Sequence, residues 1–121
     1  MLRINIQAFC LDEDTATAVN DLSEERFLIR SAIKVTMGGH TKAMEDLNTG
    51  KTPDLIIVET TAKGDALFAE LDALANVCEP ETRLIIIGVD NDIELFRKLM
   101  QMGVSEYLLR PVTTAQLLET I

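Results

Sequence analysis

Two uninterrupted apolar runs, rich in β-branched residues, constrain this chain more than anything else in it. They are Leu55-Ile56-Ile57-Val58, closed by Glu59, and Leu84-Ile85-Ile86-Ile87, closed by Gly88. A strand with one wet face alternates apolar and polar residues. A strand that is apolar at every position is covered on both faces, and the architecture that does this is a parallel sheet flanked by helices. Asp54 and Arg83 open the two runs, and both runs have the length of a strand rather than of a helix.

The rest of the chain supplies what such a sheet needs. Ile4-Asn5-Ile6-Gln7-Ala8-Phe9 alternates, runs into Cys10-Leu11 and predicts a first strand. Asp12-Glu13-Asp14-Thr15 then caps a helix with Ala18, Val19 and Leu22 on one side, extended by Arg26 and Phe27 if the helix runs that far. Its end stays open, since Phe27-Leu28-Ile29 reads equally as a last turn or as a lead-in. Ile33-Lys34-Val35-Thr36-Met37 predicts a second strand, broken by Gly38-Gly39 and followed by a short helix over 40–47. Asn48-Thr49-Gly50-Lys51-Thr52-Pro53 is a turn-rich connector. Gly64-Asp65 opens a helix with Leu67, Phe68, Leu71, Leu74 and Ala75 on one face, and Pro80 lies just past its end. Asp90-Asn91-Asp92 caps a helix whose apolar face reads Ile93, Phe96, Leu99 and Met100, closed by Gly103. Glu106-Tyr107-Leu108-Leu109 predicts a fifth strand, and Thr113 or Thr114 caps a last helix that stops at Ile121. Strands and helices in strict alternation predict one α/β domain over residues 1–121, a doubly wound five-stranded parallel sheet with helices on both faces. The stop inside a helix is what a domain excised from a longer protein would show.

Composition narrows the function. At 47% hydrophobic and 4% aromatic with no Trp, the core is aliphatic. The net charge of -9, with Lys and Arg scattered, argues against a nucleic-acid surface and against electrostatic binding to an anionic membrane. No apolar run approaches the roughly 18 residues of a transmembrane helix, and no leader is evident, so a cytoplasmic protein without direct membrane insertion is expected. The two cysteines, Cys10 and Cys78, are expected as free thiols, and a lone His40 leaves no zinc site. His40 is expected at the surface rather than as a base. Cys10 is expected to be inert, its thiol pKa raised by the neighbouring Asp12, Glu13 and Asp14. Met37, Met44, Met100 and Met102 are expected to fill core or interface gaps. Gly38-Gly39 lacks the pattern of a phosphate cradle.

In a doubly wound sheet, ligands bind outside the carboxyl ends of the strands. The residues there are Cys10, Leu11 and Asp12, then Glu59 and Thr60, then Gly88 and Val89, then Arg110 and Pro111. Here a resemblance enters. Gly103-Val104-Ser105-Glu106-Tyr107-Leu108-Leu109-Arg110-Pro111 resembles the fifth-strand motif of bacterial response-regulator receivers, and Pro53-Asp54-Leu55-Ile56-Ile57-Val58-Glu59 resembles their third-strand motif. The resemblance covers essentially the whole chain and implies the flavodoxin-like strand order 2-1-3-4-5. It also implies a site in which two carboxylates hold Mg²⁺, an Asp accepts a phosphoryl group, and a hydroxyl and a Lys contact its oxygens.

This chain departs from that pattern at each position. The acidic pair falls on Cys10 and Leu11, and only a two-residue shift that lengthens the strand would bring in Asp12 and Glu13. Glu59 stands at the phosphoacceptor position, with its carboxylate about 1.5 Å further out than an Asp would place it. Gly88 stands for the hydroxyl, Arg110 for the Lys, and Tyr107 for the switch aromatic. Glu59 is predicted to reach Arg110, either as a permanent mimic of the phosphorylated state or as a salt bridge that merely neutralises a buried charge. No catalytic residue and no metal ligand is expected, and Mg²⁺ is expected only if the domain is phosphorylated after all.

More narrowly, residues 4–10, Met37-Gly38-Gly39, residues 55–59 and residues 103–108 look like the N-terminal atypical receiver domain of the CpaE/TadZ pilus assembly family. That resemblance implies a MinD/ParA-like ATPase domain after this one and a role in tight-adherence (Flp) pilus assembly at a cell pole. The leading expectation is a non-enzymatic, non-phosphorylated interaction module with protein partners, dimerising through its last two helices and last strand. The alternatives are a phosphorylatable two-component receiver and a small-molecule binder of flavodoxin-like fold.

Overall fold

A computed structural model describes residues 3–48 and 52–121. The predicted connector falls partly on 49–51, which lie outside the described residues. The elements are β1 (Asn5–Cys10), α1 (Glu13–Asn20), β2 (Ala32–Met37), α2 (Gly39–Leu47), β3 (Leu55–Glu59), α3 (Asp65–Val77), β4 (Arg83–Gly88), α4 (Ile93–Gln101), β5 (Glu106–Leu109) and α5 (Thr114–Thr120). The five strands form one sheet in the order β2-β1-β3-β4-β5. Every neighbouring pair runs parallel. The expected doubly wound sheet and its strand order are therefore those of the structure.

Alternation along the central strands divides the interior in two. Ile6, Ala8 and Cys10 of β1, Leu55 and Ile57 of β3, and Ile85 and Ile87 of β4 pack on one face with Ala18, Val19 and Leu117 from α1 and α5. Phe9, Ile56, Val58, Ile86 and Tyr107 pack on the other with α2, α3 and α4, through Ala43, Leu71 and Leu99. Both faces of β3 are thereby dry, which is why its sequence carries no polar residue before Glu59. Among the described residues, no helix is long and apolar enough to cross a membrane.

Some expectations change. The chain after α1 does not continue as helix but makes two 3₁₀ turns, Asp21–Glu24 and Arg26–Leu28. Leu22 and Leu28 are buried there, while Phe27 and Ile29 are exposed. On α4 the buried residues are Leu95 and Leu99, and Ile93 is 66% exposed and Phe96 37% exposed. The apolar residues of this helix permit two stripes, and the cap decides between them. Asp92 accepts from the N–H groups of Glu94 and Leu95, which starts the helix at Ile93 and turns that first residue outward. Ala75 is exposed on α3, and Met37 and Met102 are exposed rather than core. Met44 and Met100 pack partly buried against the core. Thr113, not Thr114, caps α5, through a reciprocal box with Gln116, and the Thr114 hydroxyl instead donates to the Ala18 carbonyl at 2.9 Å.

Ile57→Ala, which empties a buried position in the central strand, is expected to lower unfolding stability by about 2–5 kcal/mol. Ile93→Ala is expected to change it by no more than about 0.5 kcal/mol. Urea midpoints at unchanged slope check both, and a core-sized loss at Ile93 would contradict this orientation of α4.

Candidate functional site at the carboxyl edge of the sheet

Glu59 ends the central strand, so its carboxylate emerges in the middle of the sheet's carboxyl edge. The residue is 0% exposed. Its Oε1 accepts the backbone N–H of Leu11 at 2.6 Å and of Asp12 at 2.9 Å. Its Oε2 accepts the Thr15 hydroxyl at 2.9 Å and an Arg110 guanidinium N–H at 2.9 Å. Four donors thus fill the roughly four acceptor positions of an ionised carboxylate.

Local structure explains each donor. β1 ends at Cys10 and α1 begins at Glu13, so the N–H groups of Leu11 and Asp12 lie in the turn ahead of the helix, where the chain has no carbonyl to offer them. Thr15 sits in the first turn of α1 and faces the strand ends, buried. Arg110 follows β5, which is separated from β3 by β4. Its side chain therefore spans two strand spacings, about 10 Å, a reach that suits an Arg. It remains 28% exposed while its partner is fully buried. Gly39, with φ 56°, closes the site from the side of α2, and a Cβ there would lie 2.9 Å from the Glu59 carbonyl and 2.7 Å from the Leu11 side chain. Glycine is required for both reasons.

The remaining candidates fall into place around this centre. A longer first strand bringing in Asp12 and Glu13 is not what forms. The Asp12 carboxylate turns away to cap α1, accepting the Asp14 N–H at 2.8 Å, and Glu13 is exposed. Leu11 is exposed over the site. Gly88 faces the ring of Tyr107, which is 7% exposed. The Tyr107 hydroxyl donates to the Asp90 carbonyl at 2.9 Å and accepts the Asp90 N–H at 3.2 Å. His40 is not the surface residue expected, for it is half-buried and its Nε2 is buried with no hydrogen-bond partner. Thr15 and Gly39 were not anticipated as site residues. A hydroxyl in the first turn after a strand carrying a buried acid is the signal that would have found Thr15.

A receiver's Mg²⁺ needs hard oxygen ligands in tight octahedral geometry. The donors present do not suit it. Leu11 offers no oxygen, the Asp12 carboxylate is engaged as a helix cap, and the Glu59 carboxylate is already opposed by a guanidinium. Among the described residues, no three His, Cys, Asp or Glu side chains converge as a metal site would require.

Cys10 lies buried behind the site. Burial first, and then the Glu59 charge, push its thiol up to about 12. The charge responsible is Glu59 rather than the neighbouring Asp12, Glu13 and Asp14, since Glu59 shares the interior with the thiol. Burial also raises the Cys78 thiol, which is only half-buried.

This geometry sets the outcome of several measurements. Arg110→Ala is expected to cost about 1–3 kcal/mol in urea unfolding, because a buried carboxylate loses its cation. Glu59→Asp is expected to cost a similar amount, since the shortened side chain withdraws from donors fixed by the backbone. Near neutral pH, a thiol reagent is expected to label Cys78 in the folded chain and Cys10 only in denaturant. Because the folded Cys10 thiol keeps its proton above its ordinary value of 9.0, its contribution to stability is full below that pH and is lost as pH rises towards about 12. Cys10→Ala should flatten that alkaline loss.

No protein-family model and no curated protein sequence matches the chain. Solved structures do. The chain is similar to the pilus assembly protein CpaE from Caulobacter crescentus CB15, with 39% identity, coverage of 98% of this chain and 96% of that one, and a TM-score of 0.92. It is similar to a CpaE2 pilus assembly protein from Sinorhizobium meliloti 1021, with 32% identity, coverage of 96% and 95%, and a TM-score of 0.91. A CheY-like response regulator from Mesorhizobium loti shares the fold, at 17% identity, coverage of 98% and 96%, and a TM-score of 0.62. With more than 30% identity over nearly the full length of two such proteins, the chain belongs to the CpaE family of pilus assembly proteins and carries the receiver fold of CheY-like response regulators.

Proposed function

We propose that this domain is a receiver held in one state without phosphorylation, and that it serves pilus assembly as a protein-interaction module. The observation that carries the proposal is the Glu59 carboxylate, with every acceptor position occupied and a guanidinium at 2.9 Å. In-line attack on a phosphoryl donor needs an aligned lone pair and room for the donor. The four donors around Glu59 and its full burial support the reading that its lone pairs are already engaged. A phosphorylated receiver holds an anion at this edge beside a cation, and Glu59 with Arg110 supplies both permanently.

The interaction face in this reading is the outer side of α4 with β5 and α5, where Ile93, Phe96 and Leu109 are exposed. A second copy of the chain is the partner it would take there. The pilus setting comes from the relatives. A cytoplasmic location, recruitment to a cell pole and a neighbouring ATPase domain belong to the same proposal.

The test is incubation with acetyl phosphate and Mg²⁺, followed by intact mass. The expected spectrum is unchanged. A stable gain of one phosphoryl group that disappears in Glu59→Gln would make this a working receiver with a lengthened acceptor.

A further inference from the structure

Gly88 has no backbone reason to be glycine, since its φ lies outside the left-handed region that the other buried glycine of this edge, Gly39, occupies. Its reason is space. A Cβ at position 88 would stand 2.5 Å from the Tyr107 hydroxyl oxygen, 2.7 Å from Cε1 and 2.9 Å from Cζ. The ring cannot withdraw deeper, because it is packed into the core with Ile86, Leu95 and Leu99; the way left to it is outward. Its hydroxyl satisfies both backbone polar groups of Asp90, in the loop between β4 and α4. Tyr107 also lines a hollow of about 260 Å³ together with Asp90, Ile93, Phe96 and Leu109. The ring thus shapes the exposed face of α4 and β5 from inside.

The Glu59 network shares no residue with this one. Its donors come from Leu11, Asp12, Thr15 and Arg110. Among the described residues, no side-chain hydrogen bond joins the two regions; they meet through the β3–β4 and β4–β5 ladders and through the Arg110 N–H to Gly88 carbonyl bond at 3.1 Å and the Thr60 N–H to Ile87 carbonyl bond at 2.8 Å.

We propose that Gly88 and Tyr107 form a steric lock that fixes the β4–α4 loop and the hollow beside it in one shape, whatever the state of the Glu59–Arg110 pair. The lock itself stands without the interaction-module reading, which it extends only by saying that the face is preformed.

The chain has one Tyr and no Trp, so its intrinsic fluorescence reports on Tyr107 alone. The first measurement is acrylamide quenching of that emission. Gly88→Ala is expected to raise the quenching constant several-fold by turning the ring outward, and to move the phenol's alkaline titration, which burial of the ring raises, back down towards its ordinary value. Glu59→Gln is expected to leave both unchanged. Equal quenching in Gly88→Ala and the parent would overturn the lock. A rise in Glu59→Gln would overturn its independence from the site. Should Gly88→Ala be too unstable to measure, urea unfolding of Tyr107→Ala against the double variant Gly88→Ala/Tyr107→Ala decides: with the ring gone, the added methyl is expected to change the midpoint little, and a further large loss would show that the ring is not the obstacle. None of these readouts depends on phosphorylation, so the acetyl phosphate experiment can fail or succeed separately.

Discussion

A single carboxylate organises the carboxyl edge of this sheet. Among the described residues Glu59 is the one buried carboxylate, and it reaches three separate pieces of the chain. It holds the turn after β1 by two backbone N–H groups, the first turn of α1 by Thr15, and the end of β5 by Arg110. Transfer of an unpaired carboxylate out of water is prohibitive. The donors are therefore not optional, and the loops that carry them are held in place by the charge they serve. A buried ion pair of this kind adds little net stability compared with an apolar replacement, but breaking it from one side is expensive. Its contribution is to geometry: one arrangement of three loops satisfies the charge.

The same arrangement is what the proposed unphosphorylated state rests on. Where a receiver gathers carboxylates to bind a cation, this chain presents backbone N–H groups, which suit an anion. Where a receiver leaves its acceptor open, this chain closes it with a hydroxyl and a guanidinium. Residues 11, 12, 15 and 110 all serve the one carboxylate at 59. The relatives in the CpaE family share this chain's fold at TM-scores above 0.9, while the CheY-like regulator shares it at 0.62.

Much of the fold was legible because it rests on periodicity. The apolar runs at 55–58 and 84–87 can lie only in a sheet covered on both faces, and the alternating helices supply the cover. The pairing of Glu59 with Arg110 was also legible, since the two strands end on one edge. What could not be read was orientation within an element. On α4, residues 93, 95, 96, 99 and 100 are all apolar, and only the hydrogen bonds of Asp92 determine which of them face inward. Thr15 and the N–H groups of Leu11 and Asp12 were hidden for a different reason. A backbone donor has no signature in a sequence, and a threonine near a helix start reads first as a cap. His40 and Cys10 likewise depend on distant packing that only the tertiary arrangement reveals.

The contact between Gly88 and Tyr107 limits what either position can hold. A side chain can enter position 88 only after the ring at 107 has left, and the ring can leave only if the Asp90 backbone finds other partners. Each intermediate along that route carries a clash or a pair of orphaned polar groups. Positions 88 and 107 therefore constrain each other, and a serine or threonine at 88 needs a displaced or smaller side chain at 107 and another partner for the Asp90 backbone.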